Sequence, residues 1–240
     1  MPSRDEIDGV LLVDKAAAMT SHDVVAIARR ALDTRKIGHC GTLDPLATGL
    51  LILTVGRGTK IQDLLMSEDK EYEGTMRLGQ TTSSQDADGE VLETKPVPVL
   101  EGNEISDAFA KYRGDFYQMP PMVSAIKKDG VPLYKLARQG KQVEREPRFV
   151  HVYASEVLGI RLPDLDFRIV CSKGFYVRTF AHDVGEALGC GAHLAALRRT
   201  KSGRFSVQGA VTVDELKTLP REELRGRILS LPAVSRLRGA

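Results

Sequence analysis

A single carboxylate, Asp44, lies in a stretch rich in glycine and proline, where a reactive side chain is easily exposed. The stretch runs from Gly38 to Leu51 and also contains His39. An apolar run of strand length, Leu50 to Val55, follows directly, so a rigid element would present the carboxylate on a loop. Such a group can serve as a nucleophile or as a charge stabiliser. The pair Asp44-Pro45 equally suits an ordinary helix start, with aspartate as the N-cap.

The composition of the chain excludes several classes of protein. Of its 240 residues, 42% are hydrophobic and 28% are charged, as in a globular protein with a real core. No apolar run approaches the roughly 18 residues of a membrane helix, and Met1 to Gly9 lacks the apolar segment of a signal peptide. The three cysteines, Cys40, Cys171 and Cys190, have neither zinc-ligand nor disulfide spacing, which favours reduced thiols in a cytoplasm.

Positive charge is concentrated in two segments of the chain, although the net charge is only +2. Residues 121–148 carry seven Lys and Arg against three Asp and Glu, and residues 168–204 carry seven against two. The rest of the chain is therefore acidic. This asymmetry suits a polyanion-binding site on one face, although two solvated basic segments would give the same counts. The first segment also has little apolar weight, so we expect it to project from the protein.

The elements that position these residues are predicted from hydrophobic periodicity and turn residues. Thr20 and Asp23 lie at capping-box distance before a helical apolar stripe that ends at Leu32. The polar stretch from Gly79 to Gly89 is expected to be a loop. Further helices are expected at 105–112, 133–139, 179–188 and 193–199, and strands at 10–13, 50–55, 70–78, 150–158, 167–172 and 207–213. Strands outnumber long helices and do not alternate strictly with them, which predicts an α+β fold with a largely antiparallel sheet.

Five motifs along the chain occur in the order of one protein family. They are Gly38–Gly49, Lys70–Tyr72, Leu78–Gly89, Pro121–Gly140, and Cys171–Thr179 completed by Gly189–Arg199. Together they resemble the TruB family of tRNA pseudouridine synthases, over a span from about Gly9 to about Leu216. One departure is the turn Ala16–Ala18, where the family has Pro-x-Gly after the same Asp-Lys pair.

The resemblance implies a pseudouridine synthase fold, a mainly antiparallel mixed sheet flanked by helices and loops. Residues 9–216 would form the catalytic domain, and residues 121–148 would be an insertion that grips RNA. Many bacterial members of the family carry a further C-terminal RNA-binding domain. Here we expect residues 217–240 to be a short polar tail instead.

The resemblance also implies an isomerase that converts uridine to pseudouridine at position 55, in the T-loop of transfer RNA. The glycosidic bond breaks and the ribose rejoins C5 of the same base, so no atoms enter or leave and neither cofactor nor metal is expected. The base must leave the RNA stack to reach the enzyme. The expected partner is the T-arm of transfer RNA, and we expect a monomer in the cytoplasm without membrane association.

Three residues carry the catalytic roles that the resemblance implies. Asp44 is the nucleophile or charge stabiliser, and Arg178 is its ion-pair partner, because burial beside a base would otherwise raise the carboxyl pKa. Tyr72 stacks on the uracil and takes the C5 proton late in the reaction. From the residues alone, Arg178 equally suits an exposed arginine at a helix start, and Tyr72 a core tyrosine of a strand.

The other site residues are expected to contact the substrate. His39 would occupy the place that the base has left, while Tyr176 and Leu197 would line the pocket, although core packing explains them equally well. Lys15 and Lys60 are expected as phosphate or structural contacts. Four of the basic side chains of the insertion are expected to contact phosphates, namely those of Lys127, Lys128, Arg138 and Lys141. The glycines of the first motif would let RNA approach closely.

Three other functions stay open on the sequence. A guide-RNA-dependent enzyme would have the same fold, although such members carry the extra domain. An RNA chaperone with an inactive pocket is a second alternative, against which the intact Asp44, Tyr72 and Arg178 argue. A hydrolase of the glycosidase kind needs paired carboxylates, and Asp44 has no carboxylate partner within its motif.

Overall fold

The chain divides into two units. The computed structural model describes residues 7–122, 124, 127–128, 131–132 and 143–239. The first unit comprises Met1–Tyr72 with Arg198–Ala240, and the second unit comprises Glu73–Leu197. Both contain strands and helices that do not alternate strictly, and parallel and antiparallel strand pairs both occur, which confirms the predicted α+β class with a mixed sheet.

Strands and short helices make up most of the described part of the chain. The strands are β1 (Gly9–Lys15), β2 (Ile37–Cys40), β3 (Thr48–Val55), β4 (Lys70–Leu78), β5 (Gln80–Thr82), β6 (Val91–Thr94), β7 (Gly114–Gln118), β8 (Lys127–Lys128), β9 (Val131–Pro132), β10 (Arg148–Arg161), β11 (Asp164–Cys171), β12 (Ala192–Ser202), β13 (Phe205–Ser206) and β14 (Val211–Thr212). The helices are α1 (Ser21–Leu32), α2 (Gln62–Met66), α3 (Gly102–Ala110), α4 (Val177–Ala187), α5 (Val213–Thr218), α6 (Arg221–Gly226) and α7 (Leu231–Arg238), and a 3-10 helix (Gly56–Ile61) precedes α2.

The sheet of the first unit has the strand order β14-β1-β3-β12, and β2 is a further antiparallel partner of β3. Strands β1 and β3 run antiparallel from the pair Gly9↔Val55 to the pair Lys15↔Gly49, whereas β14 is parallel to β1 and β12 is parallel to β3. Strand β3 is buried along nearly its whole length. Its apolar sequence fits this position, because a central strand has both faces covered.

Helix α1 begins where its sequence predicts. The Thr20 side chain accepts from the Asp23 N–H, and the Asp23 carboxylate accepts from the Thr20 N–H, which completes the expected capping box. Near the end of the first unit, the α7 residue Val234 packs into one cluster with Val10 and Ile52. Residues 217–240 therefore include side chains of the core, and the domain boundary near residue 216 stays a prediction.

The second unit has the strand order β4-β11-β10-β7. Strands β10 and β11, which correspond to the strands predicted at 150–158 and 167–172, form a long antiparallel pair. Three phenylalanines from α3, β11 and α4 meet in its core. The ring centroid of Phe109 lies 6.2 Å from that of Phe167 and 5.3 Å from that of Phe180. These contacts fix α4 on the sheet.

Several elements differ from the sequence-based prediction. Residues 193–199, expected as a helix, belong to strand β12, and residues 207–213 contain β14 and the start of α5 instead of one strand. Strand β5 lies within the expected loop at 79–89. Alanine and leucine have high helix propensity, so the local pattern favoured a helix. The pairing of β12 with β3, which is distant in sequence, overrides this preference. The helix expected at 133–139 lies outside the described residues.

Across residues 7–239, leaving aside the gaps between 122 and 143, none of the helices combines the length and the apolar character that spanning a bilayer requires.

Candidate active site

The loop between β2 and β3 carries Asp44, which is half-buried. The Ala47 N–H donates to the Asp44 carbonyl over 3.1 Å, so the chain makes a turn here, and the helix start expected at this aspartate is wrong. The Ser21 hydroxyl accepts from the Leu43 N–H over 2.9 Å and donates to the Leu43 carbonyl over 3.2 Å. The residue before Asp44 is thereby tied to the first residue of α1.

Arg199 holds both sides of this loop from the interior. The residue is 2% exposed, and its Nε and Nη2 atoms donate to the carbonyls of Leu50 (2.7 Å) and Gly41 (3.1 Å). Gly49 has a φ of +97°, and a Cβ there would collide with the Arg199 main chain. The close approach of β12 to β3 thus explains this glycine, and the expectation that it makes room for RNA is wrong.

Lys15 is a second buried cation below the loop. The residue is 0% exposed, and its Nζ donates to the carbonyls of Ala16 (2.9 Å), Met19 (2.8 Å) and Pro45 (3.4 Å). Burial lowers the pKa of Lys15 to about 8, while the Asp44 carboxylate opposes this shift. Of the two expected roles, phosphate contact and structural contact, the structure gives Lys15 the structural one, because its donors are used by main-chain carbonyls.

His39 lies at the end of the loop on β2, half-buried, with its ring edge against His22 at a centroid distance of 5.3 Å. Burial, together with the nearby His22 and Arg199, lowers the pKa of His39 to about 4, so the ring is neutral at pH 7. Its Nδ1 atom is buried and has no hydrogen-bond partner within the described residues. The ring lines a cavity of about 270 Å³ together with Gln62, and Gly38 leaves room for that glutamine, because a Cβ there would strike the Gln62 side chain.

Tyr72 is half-buried in β4, directly after a buried carboxylate. That residue, Glu71, accepts from the Thr200 hydroxyl over 2.9 Å and pairs with Lys201 Nζ at 3.3 Å. These bonds fix the start of β4 within the first unit and hence the main chain of Tyr72. Lys60 lies exposed in the last turn of the 3-10 helix, where both of its expected roles stay open.

Arg178 is the second residue of α4 and is 4% exposed, so the alternative of an exposed arginine is wrong. Its Nη1 donates to the Ser84 carbonyl over 3.0 Å, and its Nε lies 3.7 Å from a carboxylate oxygen of Asp86. The next residue, Thr179, donates its hydroxyl to the Gln85 side chain over 3.0 Å. The polar loop after β5 therefore fixes the direction of the guanidinium.

Tyr176 immediately precedes α4 and is half-buried. Its main chain is held by Gln118: the Gln118 Nε2 donates to the Tyr176 carbonyl over 3.0 Å, and the Tyr176 N–H donates to Gln118 Oε1 over 2.8 Å. Leu197 is half-buried in β12. Tyr176 and Arg178 are thus brought together at the start of one helix.

The predicted site residues divide between the two units. The first unit brings Asp44 and Lys15 together and places His39 on the strand that leads into the same loop. The expected ion pair of Asp44 with Arg178 involves both units and stays a prediction. Of the predicted phosphate contacts, Arg138 and Lys141 lie outside the described residues, and the structure describes only the main chain of Lys127 and Lys128 in β8.

Three residues of the site received no role from the sequence: Asp86, Gln118 and Arg199. Asp86 and Arg199 lie inside the family-like motifs, which was an available signal. Gln118 gives no such signal, because its partner lies 58 residues further along the chain. A metal centre has no candidate in the described ranges, where no three His, Cys, Asp or Glu side chains cluster suitably, and the expected absence of a metal from the reaction stays a prediction.

Two family models match the chain. The model for the TruB family pseudouridylate synthase (N terminal domain) matches residues 29–177, and the model for the tRNA pseudouridylate synthase B C-terminal domain matches residues 178–233. The chain is 59% identical over 226 residues to tRNA pseudouridine synthase B of Opitutus terrae, with 94% of each chain covered. It is 46% identical over 225 residues to the protein of the same name from Syntrophotalea carbinolica, covering 94% of this chain and 74% of that one.

Solved structures share the fold. A chain of a Cbf5-Nop10-Gar1 complex has a TM-score of 0.74 and 30% identity, over 99% of this chain and 64% of that one. A chain of an H/ACA RNP bound to a substrate RNA containing 2'-deoxyuridine has a TM-score of 0.70 and 27% identity, with coverage of 99% and 64%. This chain thus spans less than two thirds of the length of those solved chains. The matches define the class of enzyme as the pseudouridine synthases, which are isomerases. Within that class, the chain belongs to the TruB family.

Proposed function

We propose that this enzyme isomerises uridine to pseudouridine at position 55, in the T-loop of transfer RNA. The names of the family and of its relatives support transfer RNA as the substrate class. The observation that carries the proposal is the loop of Asp44, which Ser21, Lys15 and Arg199 hold in place. A carboxylate on a loop fixed in this way is preorganised for attack on a flipped nucleotide.

The proposed reaction needs Asp44 as an anion, either as a nucleophile or as a stabiliser of the separated fragments. The bond between ribose C1′ and uracil N1 breaks, and C1′ forms a bond to C5 of the same base. C5 loses its proton and N1 gains one, so the atoms balance without a cofactor. Tyr72 is proposed to stack on the uracil and to take the C5 proton.

Arg178 is proposed as the cation that keeps the Asp44 carboxyl ionised, because an opposite charge nearby counteracts the effect of burial. Its burial, its hydrogen bond to the Ser84 carbonyl and its ion pair with Asp86 support this role, since they fix the guanidinium within the second unit. The proposed pocket is completed by Tyr176 and Leu197. His39 would fill the space left by the flipped base as a neutral ring, which is consistent with its pKa of about 4.

The proposal extends to how the RNA is held. Residues 121–148 are proposed as the insertion that grips the T-arm, on a catalytic domain of residues 9–216, and the enzyme is proposed to act as a monomer in the cytoplasm. Lys127, Lys128, Arg138 and Lys141 would contact phosphates, which would add salt-dependent affinity without reading sequence. Lys60 is proposed as a further phosphate contact.

The substitution Asp44→Asn tests the proposal. An amide is neither an anion nor a useful nucleophile, so we expect the single-turnover rate on unmodified transfer RNA to fall by about 10⁴-fold or more. The dissociation constant for the RNA should stay close to that of the wild type. The control is Asp107→Asn, which makes the same change on the exposed face of α3.

Mapping the modified position separates this proposal from its alternatives. Pseudouridine confined to the T-loop supports it. Unchanged RNA that is nevertheless bound would favour a chaperone, and an abasic site would favour a hydrolase. Substantial formation of pseudouridine by Asp44→Asn in a single turnover would refute the catalytic role of the aspartate.

A further inference from the structure

Gln118 is the last residue of β7 and is 3% exposed. Its amide makes two hydrogen bonds to the main chain of one residue, donating to the Tyr176 carbonyl over 3.0 Å and accepting from the Tyr176 N–H over 2.8 Å. Both lengths lie in the ordinary range for N–H···O bonds. The side chain therefore pairs with Tyr176 as one strand residue pairs with its neighbour in an antiparallel ladder.

Tyr176 is the N-cap residue of α4, and its side chain caps no N–H group of that helix. Helices usually begin with a Ser, Thr, Asp or Asn whose side chain fixes the first turn. Here the Tyr176 carbonyl accepts the first helical bond, from the Phe180 N–H over 3.1 Å, and also the bond from Gln118. Gln118, in strand β7, thus restrains the first turn of α4, which the side chain of the cap residue does not do.

The start of α4 decides where two proposed site residues point. Arg178 is the second residue of the helix, and Tyr176 is its cap. Successive residues of an α-helix are rotated by about 100° about its axis, so a change in where the helix begins would turn the Arg178 side chain away from its present direction. The restraint on the Tyr176 peptide is therefore also a restraint on the guanidinium.

We propose that Gln118 is a positioning residue of the isomerisation, which fixes the cap of α4 and so orients Tyr176 for the target uridine and Arg178 for its proposed role as the cation that keeps the catalytic aspartate ionised. This inference rests on the proposed function, because the orientation of these side chains affects the rate only if they take part in that reaction. Gln118 also pairs with Arg148 across β7 and β10, and residues 121–148 are the proposed RNA-gripping insertion. One residue therefore adjoins the insertion and holds the helix of the pocket.

The first test is Gln118→Met, which keeps the length of the side chain and removes both hydrogen bonds. We expect the single-turnover rate on transfer RNA to fall about 10- to 100-fold, since small misplacements of reacting groups have effects of this size. The dissociation constant for the RNA should hardly change. The matched control is Tyr112→Phe, which removes the bond from the Tyr112 hydroxyl to the Asp183 carbonyl (3.0 Å) in the middle of the same helix. It should lower stability and leave the rate unchanged.

The second test is Gln118→Glu, read as a function of pH. A protonated carboxyl can donate to the Tyr176 carbonyl and accept from its N–H, as the amide does, whereas the carboxylate can only accept. Burial raises the pKa of a carboxyl. The ratio of the variant rate to the wild-type rate should therefore rise as the pH is lowered from about 8 to about 5.5. The folded fraction, measured by circular dichroism at each pH, should not follow this ratio.

The outcomes separate this inference from the proposed function. A wild-type rate for Gln118→Met overturns the inference alone, and so does a loss that Tyr112→Phe shares or that weaker RNA binding accounts for. If Gln118→Met does not fold, the Gln118→Glu profile decides: a flat ratio, or one that follows the folded fraction, overturns the inference. A wild type that modifies no transfer RNA overturns the proposed function and the inference with it.

Discussion

At the scale of a single residue, the buried side chain of Lys15 holds the loop of Asp44 and makes stability depend on pH. Its Nζ donates to three carbonyls, one of them that of Pro45, directly after the proposed catalytic aspartate. An ammonium group in the interior is stabilised by these bonds and by the carboxylate of Asp44, but it has lost its water. The lost hydration outweighs these stabilising contacts, because the pKa of Lys15 falls to about 8.

This pKa predicts how stability depends on pH. The unfolded chain holds the Lys15 proton up to its ordinary pKa of 10.5, whereas the folded protein releases it near 8. Between these values the unfolded state binds more protons, so the contribution of Lys15 to stability rises with pH. We expect the free energy of unfolding of the wild type to gain on that of Lys15→Met by about 3 kcal/mol between pH 7 and pH 10.5.

Urea unfolding of both proteins across this range measures the effect. The same substitution at Lys36, which is exposed, controls for the loss of one positive charge. A difference between the wild type and Lys15→Met that stays constant from neutral to alkaline pH would contradict the prediction.

The turn after β1 matters at the scale of an element. The family-like motif departs from its usual Pro-x-Gly here, and Ala18 has a φ of 60°, a left-handed conformation that favours glycine. The Ala18 N–H nevertheless donates to the Pro45 carbonyl over 3.0 Å, so the turn keeps its contact with the loop of Asp44. The departure therefore adds backbone strain and leaves the connection intact.

Ala18→Gly should relieve this strain. We expect a gain of about 0.5–1 kcal/mol in the free energy of unfolding, because the relief of the left-handed alanine exceeds the added flexibility of glycine. The neighbouring substitution Ala17→Gly is the control, since Ala17 has no positive φ, and it should lose about 0.5 kcal/mol. Thermal unfolding of both variants would show whether they shift in opposite directions, and a shift in the same direction would refute the argument.

Local signals in the sequence predict elements well, and contacts between distant residues escape them. The capping box of Thr20 with Asp23 and the strand Lys70–Leu78 were predicted because their signals lie within a few residues. Strand β12 was predicted as a helix, since its structure depends on pairing with β3. Asp44 was equally suited to capping a helix, because nothing local reveals that Lys15 and Arg199 occupy the carbonyls around it.

At the scale of the whole molecule, charge distribution predicts how RNA affinity responds to salt. Replacing four of the seven basic residues in the segment 121–148 by glutamine, at Lys127, Lys128, Arg138 and Lys141, should remove up to four of the proposed phosphate contacts. Each contact contributes about 0.7–0.9 to the slope of log affinity against log salt, so the slope should flatten by up to about 3.6.

Filter binding of transfer RNA at several salt concentrations measures this slope. The control removes four exposed basic residues of the C-terminal segment, at Lys217, Arg221, Arg227 and Arg236, and should leave the slope close to that of the wild type. Equal flattening in both variants would show that the salt dependence is a general effect of net charge. An unchanged slope in the variant of residues 121–148 would show that these four side chains do not contact phosphates.

The hydrogen bond from Arg199 to the Gly41 carbonyl has a consequence for when the loop of Asp44 can fold during synthesis on the ribosome. The two residues lie 158 positions apart, so the segment with Asp44 leaves the ribosome long before its anchor does. At ordinary rates of synthesis this delay is on the order of ten seconds. During that time the nascent chain carries the loop of Asp44 without the Arg199 side chain that anchors it. The geometry of this loop therefore forms late, when β12 has been translated and can pair with β3.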